Sequence, residues 1–217
     1  MDPNFAFKEF STAEIAEWDE KLSNLYDPVN QILLRPLSID EEAFIRHEIN
    51  RCKADFRYWC TRYAKIKDKK MNLVNLNPTA VQELLLSKTA QVELDAISGK
   101  TGDGVLLLVL KARQLGVSTI SDIILAHRTF FYGNTTALIA ADSDDRTPNL
   151  YEMVTRCYDN LPWWMQPRSA DPKRDYRVKN KQIYFADQDS VIRFGSSGNM
   201  QGGDSGQEKG SIGTGMT

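Results

Sequence analysis

The run Gly104-Val-Leu-Leu-Leu-Val-Leu-Lys-Ala-Arg-Gln-Leu-Gly-Val-Ser-Thr119 constrains this chain more than any other stretch. Val105 to Leu110 is a continuous apolar run, as expected of a strand buried on both faces of a parallel sheet. It feeds a short loop and then a helix opening at Ser118-Thr119. Strand, loop and helix start together aim backbone N–H groups and the positive end of a helix dipole at one point, which is how proteins hold phosphates. Gly116-Val117-Ser118 falls where the phosphate-loop formula G-x-x-x-x-G-K-[ST] has its G-K-[ST]. Two positions depart from that formula. Lys111 replaces the first glycine and Val117 the lysine, so the phosphate cation is expected from Lys111 and Arg113 upstream. Gly116 permits close backbone approach, and Ser118 supplies the hydroxyl that would ligate Mg²⁺. An ordinary connection with solvated charges is the plain alternative. Gly99-Lys100-Thr101 spells G-K-T, but it follows a helical pattern and precedes the strand, so it reads as a helix stop and turn.

The chain has 217 residues, enough for one good core with an appended subdomain, and its formal charge of −2 excludes a surface that is basic throughout. Nucleic-acid contact must then come from local patches. Arg51 to Lys70 holds eight Lys/Arg against two acids, and Arg168 to Lys181 holds six against two. Each, taken alone, reads first as a solvated face. Cys52, Cys60 and Cys157 show no C-x-x-C spacing, and His47 and His127 are scattered, which gives neither a disulfide framework nor a zinc site. The longest apolar run is six residues, far below the roughly 20 that span a bilayer. A soluble chain in a reducing cytoplasm is expected, with no membrane partner.

Ser11-x-x-Glu14 is a capping box ahead of a short amphipathic helix with Ile15, Trp18, Leu22 and Leu25 on one face. Ser38-x-x-Glu41 is a second box. Behind it Ile45, Ile49, Cys52, Phe56, Trp59, Tyr63 and Ile66 recur at spacings of three and four, which predicts one long helix ending in Lys67 to Lys70. Its aromatics suit packing on a globular body better than a coiled-coil seam. Asn77-Pro78 starts a third helix carrying Val81, Leu84, Leu85, Thr89 and Val92. Thr135 to Ala141 reads as a second buried strand, giving a right-handed βαβ unit with the strand before the loop. Thr147-Pro148 opens a helix with Leu150, Met153, Val154, Cys157 and Leu161 on one side, closed by Leu161-Pro-Trp-Trp-Met-Gln-Pro167. Ile183 to Phe185 and Val191 to Phe194 flank the turn-forming Asp187-Gln-Asp-Ser190 and should pair as a hairpin. Eight of thirteen glycines fall from Gly195 onward, so a mobile tail is expected.

Lys111-Ala-Arg-Gln-Leu-Gly-Val-Ser-Thr119 resembles the variant phosphate loop of the large terminase subunit of tailed bacteriophages, the motor ATPase and nuclease that packages viral DNA. Leu76-Asn-Pro-Thr-Ala-Val-Gln82 resembles that family's adenine-sensing glutamine motif, and Thr136-Ala-Leu-Ile-Ala-Ala-Asp142 its second strand. Leu161-Pro-Trp-Trp, the hairpin at Gln182 to Phe194 and Gly213-Thr-Gly-Met-Thr217 follow in the family's order. The resemblance covers roughly Phe56 to Thr217; the first fifty residues match nothing. It implies an α/β phosphate-loop NTPase with a mostly parallel central sheet, a helical lead-in over residues 1–75 and the first part of the ATPase domain over 76–217. ATP and Mg²⁺ are the implied cofactors. Gln82 would read the adenine edge, and Lys111, Arg113, Gln114 and the Gly116, Val117, Ser118 and Thr119 segment would hold the phosphates, with Ser118 on Mg²⁺.

The family's next strand, with its catalytic acids, and its nuclease domain should begin after Thr217, so no catalytic residue is assigned and weak turnover is expected. Gly213-Thr214-Gly215 stands where an arginine is common, so no arginine finger is assigned; Arg146, just past the second strand, is only a stand-in candidate. Asp142, Asp187 and Asp189 are the acids that could be recruited, though each reads first as a strand-end or turn residue. The implied partners are double-stranded DNA gripped by its backbone, the small terminase subunit, the portal protein and other copies in a homo-oligomeric ring. The implied location is the host cytoplasm and, transiently, the procapsid portal. Two rivals are a helicase-like or other phosphate-loop translocase, and a non-catalytic interaction module that docks through its aromatic-striped helix.

Overall fold

The computed structural model describes residues 10–98, 109, 110, 115–167 and 182–196. Both serine boxes cap helices, because each satisfies two first-turn amides locally. In α1 (Thr12–Ser23) the Ser11 N–H donates to Glu14 at 2.8 Å and the Glu14 N–H to Ser11 Oγ at 3.2 Å. A short hairpin, β1 (Tyr26–Asp27) and β2 (Ile32–Leu33), leads to α2 (Ile39–Ala54), where Ser38 and Glu41 repeat the box. Glu41 is buried as well, and Arg35 donates to both its oxygens at 2.8 and 2.9 Å with Lys21 at 3.3 Å. The guanidinium holds this carboxyl well below the usual carboxylate range.

The long helix expected from the three-four stripe is broken at Asp55. That residue is extended (φ −125°, ψ 97°), and its carboxylate accepts from the Tyr58 N–H at 2.9 Å, so it caps a new helix, α3 (Phe56–Arg62). An aspartate offers the backbone this alternative to helix continuation. Lys67 to Lys70, expected at a helix end, instead form the turn of an antiparallel hairpin between β3 (Lys65–Lys67) and β4 (Leu73–Asn75). Asp68 shapes that turn by accepting from the Lys70 and Asn72 amides, each at 2.8 Å. The stripe itself is core: Cys52, Trp59 and Tyr63 are buried, and Trp59 meets Phe130 and Phe131 edge-on.

Helix α4 (Ala80–Ile97) starts two residues past Pro78. Its inward face differs from the expected one. Val81 and Leu84 are exposed, whereas Gln82 is buried and Leu85 and Leu86 pack on the core. Buried Gln82 sets that rotation. The residues 105–108 of the expected strand lie outside the described residues, as do 99–101. Val109 and Leu110 are in no strand and are exposed, so they lack the double burial that their apolar run implied.

Helix α5 (Val117–Phe131), β5 (Thr136–Ala141) and α6 (Thr147–Asp159, Pro148 in its first turn) follow as expected. So does the hairpin of β6 (Gln182–Phe185) and β7 (Ser190–Ser196). The sheet has order β5-β7-β6, with β5 parallel and β6 antiparallel to β7. Ala137, Ile139, Ile183, Phe185, Ile192 and Phe194 are buried among the core that α5 and α6 share, while Thr136, Tyr184 and Arg193 are exposed. The architecture is mixed α/β. One core joins the lead-in to the α/β part, and the Trp163 indole N–H donates to Leu22 O at 3.0 Å across it. No helix among the described residues is long and apolar enough to cross a membrane. The glycine-rich tail, 197–217, and the 168–181 patch lie outside the described residues.

Trp59 is fully buried, so truncating it leaves a cavity lined by aromatics. Trp59→Ala should cost about 3–5 kcal/mol in urea unfolding. Trp59→Phe should cost less than half of that, because it also removes an indole N–H that has no partner among the described residues.

Candidate phosphate-binding site

Gly116 is the N-cap of α5 and sits at φ +70°, ψ 14°, the left-handed region that glycine enters without a Cβ penalty. A glycine cap brings no side-chain oxygen, and no side chain caps the helix from that position. The first-turn amides of Val117, Ser118 and Thr119 therefore receive no cap bond from position 116 and lie at the positive end of a 15-residue helix. Ser118 is exposed, Thr119 half-buried, and Val117 buried in the core, where it anchors the first turn.

Gln82, 34 residues upstream, reaches this point. Its Nε2 donates to the Gly116 carbonyl at 2.8 Å, and its Oε1 accepts from the Thr79 N–H at 2.8 Å. The Gln82 N–H lies 3.5 Å from Thr79 Oγ1, so Thr79 and Gln82 form a capping box at the start of α4. The same Gly116 carbonyl accepts from the Ile120 N–H at 3.1 Å. A Cβ at position 116 would lie 2.7 Å from Gln82 Nε2 and would make that amide shift, in addition to the strain of the left-handed backbone. Of the residues singled out in the sequence, Gln82, Gly116, Val117, Ser118 and Thr119 are thus brought together. Lys111, Arg113 and Gln114 lie outside the described residues.

Asp122 was not singled out. It lies one turn beyond Ser118 on α5, is buried, and its Oδ2 has no hydrogen-bond partner among the described residues. Burial alone raises its carboxyl to about 7. The available signal was its i+4 spacing from Ser118. The other acids and the arginine considered are occupied. Arg146 pairs with Asp142 at 2.8 Å on the surface, and Asp189, at φ +49°, accepts from the Tyr184 hydroxyl at 2.9 Å; Asp187 lies in the same turn.

The cysteines and histidines are structural. All three thiols are buried and free. Burial pushes the Cys60 and Cys157 thiols up to about 12. It also lowers His127 to about 4, and the neutral ring donates from Nε2 to Cys52 O at 2.8 Å. No group of His, Cys, Asp and Glu among the described residues could hold a metal ion by itself. The cations of the 51–70 patch are divided: Arg51 and Arg62 stack on Tyr58 at 4.0 and 4.4 Å, and Arg57 pairs with Glu83. Lys53, Arg57 and Arg128 line a cleft of about 570 Å³ between the α2–α3 corner, α4 and α5.

No protein-family model matches the chain, and no curated protein matches it.

Gly116→Ala should lower stability by about 1–2 kcal/mol from the left-handed backbone alone, with the Gln82 clash added; unfolding of the variant at the wild-type urea midpoint would contradict this. For Asp122 the sign follows from the proton count. Its folded carboxyl titrates near 7 and an unfolded aspartate near about 4, so the folded state holds the extra proton between those values. Stability should then fall as pH rises from about 4 to about 7. Asp122→Asn should flatten that part of the profile and gain on the wild type at pH 8 but not at pH 4, as read by thermal unfolding across pH.

Proposed function

We propose that this chain carries the nucleotide-binding segment of the ATPase domain of a phage DNA-packaging terminase large subunit, a phosphate-loop α/β fold that binds Mg·ATP. One observation carries the reading. The glutamine of the segment resembling the adenine-sensing motif is bonded to the left-handed glycine of the segment resembling the phosphate loop. Two motifs read separately in the sequence meet where a triphosphate would sit.

The residues present fit Mg·ATP. Gly116 holds the left-handed turn at the head of α5 and brings no capping side chain to its first-turn amides, and Ser118 is exposed beside them. In this reading the Val117, Ser118 and Thr119 amides orient the phosphate oxygens, Ser118 Oγ takes a magnesium position, and Lys111 and Arg113, outside the described residues, would add charge. Bound Mg·ATP would supply the phosphoryl group whose transfer drives translocation in the intact motor. Double-stranded DNA would be held through backbone phosphates by lysines and arginines such as those of the Lys53, Arg57 and Arg128 cleft, with strong salt dependence. The exposed apolar side chains of Val29, Ile32, Leu33, Leu34 and Ile39 suit contacts to the small terminase subunit, the portal protein or neighbouring copies in a ring. A helicase-like translocase shares the two joined motifs and is the second reading. The interaction module loses its main support, because the aromatic stripe is spent on the core.

Saturating Mg·ATP, at a hundred times its dissociation constant, adds about 2.7 kcal/mol and should raise the melting temperature by roughly 5–10 °C. Ser118→Ala should remove the magnesium dependence of that shift without unfolding the chain. The same samples should release phosphate weakly at most, since no catalytic acid is assigned. Absence of any shift at millimolar nucleotide would overturn the nucleotide-binding reading.

A further inference from the structure

Reading adenine requires an amide to offer a donor and an acceptor together to the base edge. Gln82 has both atoms committed inside the protein: Oε1 to the Thr79 N–H and Nε2 to the Gly116 carbonyl. It is only 4 % exposed. Swinging the amide out to a base would open the α4 capping box and strip the Gly116 carbonyl of its second donor. The Gly116 side of the contact accommodates it, since a Cβ there would lie 2.7 Å from Nε2 and push the amide away. A solvent-facing reader would need none of this.

We propose that the site is indifferent to the base, and that Gln82 is a positioning residue that fixes the exit of the phosphate loop by locking the start of α4 to the start of α5. The inference rests on the triphosphate site argued above. The ligand class is then a magnesium nucleoside triphosphate of any base, recognised through its phosphates. Gln82 acts on it only through Gly116, whose carbonyl angle sets where the Val117 and Ser118 amides point.

The test measures the affinities of the 217-residue chain for Mg·ATP, Mg·GTP and Mg·CTP by calorimetry, for wild type, Gln82→Ala and Gln82→Glu. A bidentate base reader discriminates by about 5-fold to 150-fold. The three wild-type affinities should agree within five-fold. Gln82→Ala should weaken all three by a common factor near ten, and so should Gln82→Glu, which keeps an acceptor for Thr79 but sets a carboxylate against the Gly116 carbonyl. A purely structural residue would change the melting temperature without this common loss of affinity in samples shown by circular dichroism to be folded. Should either variant fail to fold, the wild-type ratios alone decide base indifference. A preference for ATP above five-fold overturns the inference, and its collapse in Gln82→Ala would return the reader role to Gln82. Binding of none of the three overturns the nucleotide site itself, a result distinct from selective binding of one.

Discussion

The break at Asp55 is the constraint on which the rest of the described structure depends. Where a helix ends, its last carbonyls lose the amides four residues on. Here the carbonyls of Cys52 and Lys53 are taken up by α5 instead, through His127 Nε2 at 2.8 Å and the Tyr132 hydroxyl at 3.0 Å. A carbonyl can only accept, so His127 must carry its proton on Nε2, which agrees with a ring kept neutral by burial. The break therefore does more than turn the chain. It creates two unmet acceptors that fix α5 against α2, and it swings Trp59 onto His127, Phe130 and Phe131.

From α5 the constraint passes to both ends of that helix. At its C-terminal end, Ser190 Oγ donates to Tyr132 O at 2.9 Å and accepts from the Thr135 N–H at 3.1 Å, which seats the β6–β7 hairpin beside β5 and sets the register of the parallel pair. At the N-terminal end sits Gly116, with its carbonyl shared between Ile120 and Gln82. The aromatic core is thus what holds the loop exit still. In the proposed nucleotide site, pre-organisation of that kind would matter, because amides must already point at the ligand.

What could be read in the sequence was local. The Ser11 and Ser38 boxes, Pro148 at the start of α6, the hairpin around Asp187 and the glycine at the head of α5 each carry their signal within a few residues, and the structure has them where the pattern put them. The misses came where tertiary contacts outvote periodicity. The three-four stripe continues through Asp55 because α2, α3 and β3 all bury their apolar residues in the same core, so spacing alone could not reveal the interruption. In α4 the apolar Val81 and Leu84 point out, because a polar residue, Gln82, takes the inward position. Thr79-x-x-Gln82 is itself a capping signature and was legible as one. Its second bond, to a carbonyl 34 residues away, was not.

Gln82 and Asp122 show how a polar residue becomes buried for different reasons. Gln82 has its donor and acceptor matched by backbone groups at 2.8 Å, so its burial adds order at modest cost. Asp122 has an oxygen with no partner among the described residues, and its environment favours the neutral acid, as its rise to about 7 by burial alone expresses. Two α5 positions six residues apart thus do opposite things: position 116 fixes geometry, while position 122 keeps negative charge off the turn beneath Ser118 until the pH rises.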